Sequence, residues 1–179
     1  MNISIIRPRQ SDLEKIKKHL EYTISDTFKI AGVYESASDE YLEELDYQME
    51  QIQKDILTNG KEEYFLLAKI NSKIIGTIGL GQPNPVIKKY CKSLDKKSKE
   101  IKAVYINPEF QKKSIGSQLL TKMMIYLKQN EIESFVLDCG YKHSQPFWIK
   151  KLGNPTILMK DFYAKGSHHM IWQMDVKKM

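Results

Sequence analysis

Arginine, cysteine and long apolar runs are scarce in this chain, and each shortage closes off a class of function. Of the 28 basic residues only Arg7 and Arg9 are arginines, so the net charge of +6 is carried by lysine. Arginine is the side chain suited to bidentate reading of phosphates and base edges. A lysine excess without it describes a solvated surface, and no nucleic-acid partner is expected. Two cysteines, Cys91 and Cys139, do not make a disulfide framework, and a reducing, cytoplasmic setting follows. No apolar run approaches the roughly 20 residues that span a bilayer, so no membrane partner is expected. The start of the chain, Met1 to Pro8, alternates like a strand and lacks the basic and apolar regions of a signal peptide. No His/Cys spacing suggests a metal. His168 and His169 are adjacent, and on a strand they face opposite sides.

What is present describes one α/β domain over residues 1–179, long enough to bury a core and ordinary in its 41% hydrophobic content. Residues 2–7 read as a strand. Ser11-Asp12-Leu13-Glu14 is a capping box that starts a helix at Asp12, with Leu13, Ile16, Leu20 and Ile24 at helical spacing. Residues 26–37 read as irregular. Ser38 caps a second helix, whose stripe runs Leu42, Leu45, Met49, Ile52, Ile56 and stops at Asn59-Gly60. Strands at 63–70 and 73–80 flank an Asn71-Ser72 hairpin turn. The lysine-rich stretch 81–99 reads as a loop with at most one helical turn. Further elements follow: a strand over 100–106, a helix over 116–129 and a strand at 134–139. A short helix then runs from Pro146 to Leu152, with strands at 156–163 and 168–176.

The most informative stretch lies between that strand and helix. Ile106-Asn107-Pro108 is a sharp exit, and Gln111-Lys112-Lys113-Ser114-Ile115-Gly116-Ser117 is a polar, small-residue turn entering a helix. The first N–H groups of a helix have no intrahelical partner, and the macrodipole favours an anion there. With its surroundings this turn resembles the GNAT superfamily of acyl-CoA-dependent N-acetyltransferases. Their signature is Gln/Arg-x-x-Gly-x-Gly/Ala after a strand with a Pro-like exit. Serine stands at 114 where the family has glycine, which disfavours a positive φ.

The resemblance implies a single GNAT-like domain, with a mixed central sheet of about six to seven strands flanked by about four helices. It also implies acetyl-CoA as acyl donor, a small-molecule amine as acceptor and, as in many relatives, a homodimer. Val104, Tyr105 and Ile106 would pair with the pantetheine arm and the thioester carbonyl. Gln111, Lys112, Lys113, Ser114, Ile115, Gly116 and Ser117 would hold the pyrophosphate. Glu100, eleven residues before Gln111, matches the family's general base. It can equally be a strand-edge residue in solvent among Lys97, Lys99 and Lys102. The family's acidic tyrosine is replaced by Trp148, whose indole is no useful acid and is left to pack against the cofactor. Tyr141 and His143 are the remaining candidates for protonating the thiolate.

Residues 35–50 hold seven acids and no lysine or arginine, a reversal of sign that suits a cationic amine or, equally, a solvated helix face. The expected activity is acetyl transfer to such an amine by direct attack in a ternary complex. A catalytically weak acyl-CoA-binding module and a protein or peptide acetyltransferase fit the same residues.

Overall fold

The computed structural model describes residues 2–35, 37–92, 94–95 and 97–179. In chain order the elements begin β1 (Ser4–Ile6), α1 (Leu13–Ala31), α2 (Ser38–Thr58), β2 (Tyr64–Ile70), β3 (Lys73–Gly81), α3 (Pro85–Tyr90) and β4 (Lys99–Lys102). There follow α4 (Ile115–Gln129), β5 (Ser134–Cys139), α5 (Gln145–Leu152), β6 (Ile157–Ala164) and β7 (Ser167–Asp175). Among the described residues, seven strands in parallel and antiparallel pairs and four helices of eight residues or more match the expected mixed α/β class. The chain divides into two compact units, Met1–Gly81 with Ala103–Tyr126 and Gln82–Lys102 with Leu127–Met179.

In the first unit β1, β2 and β3 run antiparallel in that order, with Ile5 opposite Ala68 and Phe65 opposite Gly79. Gly79 is required there, because an added Cβ would stand 2.8 Å from the Phe65 ring. The Asn71-Ser72 turn forms with Asn71 at φ 53°, a left-handed conformation that asparagine accepts more readily than most residues. Ile16, Leu20, Ile24 and Phe28 of α1 and Leu45 and Ile52 of α2 join Phe65, Leu67 and Ile74 in one apolar cluster.

That cluster corrects the reading of residues 26–37. Phe28 continues the i, i+4 stripe and is buried, so α1 runs on to Ala31 and ends at Gly32, φ 74°. The helix entry also differs. A 3-10 turn at Gln10–Asp12 precedes α1, and Asp12 closes that turn by accepting the Arg9 N–H at 3.1 Å and pairs with Lys69 at 2.7 Å, while neither Ser11 nor Asp12 caps α1 with its side chain. The expected strand over 100–106 is likewise broken. β4 ends at Lys102, and Ala103 sits at φ 53°, a conformation that costs an alanine about 1 kcal/mol.

In the second unit β4 runs parallel to β5, β5 antiparallel to β7, and β7 antiparallel to β6. α3 supplies Ile87 to a small cluster with Cys91, Val136 and Ile171. It forms within the lysine-rich stretch because Asn84 accepts the Ile87 N–H at 2.9 Å and Pro85 occupies the first helical position. α5 ends at Gly153, whose carbonyl accepts the Trp172 Nε1–H at 2.9 Å. Among the described residues no helix is long and apolar enough to cross a membrane.

Candidate active site and cofactor cradle

The first unit carries the turn that leads into α4. Asn107 caps a single 3-10 turn at Pro108–Phe110, its side chain accepting the Glu109 N–H at 3.0 Å. The chain then passes through two left-handed residues, Lys112 at φ 57° and Ser114 at φ 64°, and enters α4 at the buried Ile115. Gln118 donates to the Ser114 carbonyl at 3.0 Å. The N–H groups of Ile115, Gly116 and Ser117 before it have no carbonyl within the helix to bond. Gln111, Lys112, Lys113 and Ser114 are exposed. Lys113 is committed to the turn itself, donating to the Glu109 carbonyl at 2.8 Å and standing 5.1 Å from the Phe110 ring centre. Ser114 adopts the conformation that its glycine counterpart would adopt without strain. A Ser114→Gly variant is therefore expected to gain about 0.5 kcal/mol of stability, read as a higher urea midpoint. An unchanged or lower midpoint would show that the Ser114 side chain holds the turn.

Just upstream lies a strand edge with donors to spare. The Tyr105 carbonyl accepts the Thr77 N–H at 2.9 Å, Asn107 donates to the Ile75 carbonyl at 3.0 Å, and Gly76 stands opposite Ile106. In that antiparallel register the peptide groups of Ile106 point away from β3. The Ile106 carbonyl takes the Gln111 amide at 3.3 Å. The N–H groups of Val104 and Ile106 have no partner among the described residues. Tyr105 is held from within the unit. Its carbonyl also accepts His19 Nε2–H at 3.2 Å, and its hydroxyl donates to Glu44 at 2.5 Å. Burial pushes His19 down to about 4, which keeps the ring neutral and fixes Nε2 as the donor.

The second unit holds the carboxylate candidates. Glu100 is 3% exposed, which removes the solvated alternative. Its two oxygens accept the Asn84 backbone N–H at 2.7 Å and the Asn84 side-chain amide at 3.0 Å. Burial, with the charge of Asp138 next in size, pushes Glu100 up to about 7, against the lowering pull of Lys102 and of the two Asn84 hydrogen bonds. The same Asn84 amide donates to Asp138 at 3.1 Å. Asp138 in turn meets His169 Nε2 at 3.0 Å, and His169 Nδ1 meets the Tyr163 hydroxyl at 2.8 Å.

Tyr141 and His143 lie on the exposed turn after β5 with ring centres 5.9 Å apart, and neither bonds Glu100. Trp148 is buried in α5 with its ring edge-on to Phe147 at 4.9 Å. Sequence reading gives no role to Asn84, Asp138 or Tyr163, and weighs His169 only with His168 as an unsuitable metal pair. The available signals were an acid inside the apolar run of β5 and an Asn-Pro pair, which is a helix-start signal.

A family model described as the acetyltransferase (GNAT) family matches residues 30–153. No curated protein matches the chain in sequence. Among solved structures, a GNAT-family acetyltransferase from Desulfovibrio desulfuricans superposes with a TM-score of 0.71 at 17% identity, covering 98% of this chain and 99% of that one. The PaiA N-acetyltransferase of Thermoplasma acidophilum, in complex with coenzyme A, gives 0.68 at 22% identity over 97% and 100%. A spermidine N-acetyltransferase chimera of Vibrio cholerae SpeG and hSSAT gives 0.65 at 14% over 99% and 98%.

Proposed function

Because the chain belongs to the GNAT acetyltransferase family, we propose that it transfers the acetyl group of acetyl-CoA to a primary amine of a small cationic molecule in a ternary complex. The observation that carries this reading is the pairing, in one unit, of a strand edge with spare N–H donors and a helix start whose first amides are unsatisfied. The Val104 and Ile106 amides suit the pantetheine arm, and the amides of Ile115, Gly116 and Ser117 suit the pyrophosphate, with Gln111, Lys112, Lys113 and Ser114 shaping the turn. Bound acetyl-CoA would supply the activated acyl group. Trp148 has too little free surface for a broad contact and is left out of the proposed cofactor contacts.

Glu100 is the proposed base. Ionised at and above about pH 7, it removes a proton from the substrate ammonium through water. For the acceptor, Asp39, Glu40, Glu43, Asp46 and Glu50 line the exposed side of α2. A cavity of about 250 Å³ between Tyr34, Glu35, Ser38 and Tyr41 lies in the same unit. The Lys29 ammonium stands 4.8 Å from the Tyr34 ring centre, so that ring already receives a cation. A solved relative that acts on spermidine is in keeping with a cationic acceptor. The free, buried Cys91 and Cys139 accord with a cytoplasmic setting.

The test is calorimetric titration with acetyl-CoA followed by thiol release across alkyl mono-, di- and polyamines. Micromolar binding and amine-dependent release are expected. Binding without transfer to any amine would identify an acyl-CoA-binding module, and transfer to peptides alone would identify a protein acetyltransferase.

A further inference from the structure

The chain of bonds from Asp138 to the surface has a direction. A carboxylate accepts, so His169 Nε2 carries the ring proton toward Asp138, and Nδ1 is left as a lone pair that receives the Tyr163 O–H. His169 is 4% exposed and the Asp138 side chain 17%, whereas Tyr163 is 60% exposed. The bonds run from the carboxylate through the imidazole, the most buried of the three groups, to the hydroxyl of an exposed tyrosine. That is the arrangement by which a hydroxyl hands its proton to a base while taking another from a substrate. Tyr163 is seated by the end of β5. A Cβ at Gly140 would stand 2.7 Å from its hydroxyl, so the bare glycine keeps the phenol in place. Burial, and then the Asp138 charge, raises Tyr163 above the ordinary phenol range, which keeps it an O–H donor at neutral pH.

We propose that Tyr163 is a second proton-transfer residue of the acetyl transfer, with His169 receiving its proton and Asp138 positioning His169. The inference rests on the acetyltransferase reading above. Acylating an ammonium requires the loss of two protons from nitrogen. Glu100 takes the first. The nitrogen then forms its bond to the acyl carbon and gives the second proton to the Tyr163 oxygen, as the Tyr163 proton moves to His169 Nδ1. The carbon–sulfur bond breaks with its electron pair on sulfur, and His169 returns the proton through Tyr163 to that sulfur. The products are the amide, the thiol and one proton on Glu100. The return step supplies the acid that Trp148 cannot provide in place of the family's tyrosine.

The experiment compares wild type with Tyr163→Phe, His169→Gln and the double variant. It reads thermal unfolding, acetyl-CoA affinity and kcat on amines of graded basicity, from butylamine to trifluoroethylamine. Tyr163→Phe keeps the exposed ring, so its melting temperature and acetyl-CoA affinity are expected to match wild type. Its kcat is expected to fall about 100-fold on basic amines, less on weakly basic ones that release their proton unaided, and no further in the double variant. Nitrogen NMR of His169 is expected to show Nε2 protonated. Wild-type kcat in Tyr163→Phe, a defect of equal size across the amine series, or a proton on Nδ1 would each overturn the proposal. Absence of transfer by the wild type on every amine would instead overturn the acetyltransferase reading itself.

Discussion

Replacing Glu100 with glutamine is expected to lower kcat by about 100- to 1,000-fold while leaving acetyl-CoA affinity unchanged. The size follows from where the residue lies. A carboxylate at 4.5 would be ionised at neutral pH but too weak to draw a proton from an ammonium, whereas Glu100 stands at about 7. The plot of log kcat/KM against pH should therefore rise with unit slope to about pH 7 and then level, and glutamine should remove that limb. The same shift acts on stability. The folded-state value lies above the unfolded one, so below about pH 4.5 the group is neutral in both states and favours neither. As the pH rises, the unfolded chain releases its proton first, and the folded state loses about 3 kcal/mol by the time the pH passes 7. Urea unfolding at pH 5 and pH 8 reads this difference, and Glu100→Gln should flatten it. Retention of wild-type kcat by the variant would reduce Glu100 to a holder of Asn84.

Periodicity made much of the fold legible. The i, i+4 stripe of α1, the 3,4 repeat of α2 from Leu45 to Ile56, the Asn71-Ser72 hairpin and β5 over Ser134–Cys139 all stand where the pattern puts them, whereas Leu42 at the head of the α2 stripe is exposed. Three things were not legible, each for a different reason. An alanine gives no sign that it will be forced to φ 53°, so the break at Ala103 is a tertiary effect. The lysines beside Glu100 in sequence suggested solvent, yet Lys99 and Glu100 take opposite sides of the strand, and Glu100 turns inward to Asn84. Asp138, Tyr163 and His169 are brought together by pairing between strands distant in sequence. β5 pairs with β7 so that Asp138 faces Ile171, two residues from His169, and β6 pairs with β7 on the other side. Such non-local register is set by packing rather than by any local motif. At Ser114 the reverse holds. The departure from glycine was visible in sequence, and the turn adopts φ 64° in spite of it.

A Gly116→Trp variant is expected to bind acetyl-CoA at least about 100-fold more weakly than wild type, a loss of about 2.7 kcal/mol, without losing its fold. Gly116 is half-buried in the first turn of α4, between Ile115 and Ser117, whose amides with its own form the proposed phosphate seat. A phosphate oxygen must come within about 3 Å of those N–H groups. Small side chains at 114, 116 and 117 permit that approach, and an indole at 116 would fill it. Lys113 is not available to compensate, since it is engaged with the Glu109 carbonyl and the Phe110 ring. The fold is expected to survive because Ile115, 1% exposed, anchors the turn from the neighbouring position. Gly116→Ala serves as the control. It removes glycine's helix penalty of about 1 kcal/mol and adds one methyl group, so stability should rise while affinity falls several-fold at most. Raising the salt should weaken wild-type binding, as expected for a solvent-facing anion seat. Titration of the three proteins at matched melting behaviour decides the matter. Equal affinity in wild type and Gly116→Trp would move the cofactor's phosphates away from this turn and leave the unsatisfied amides of α4 to water.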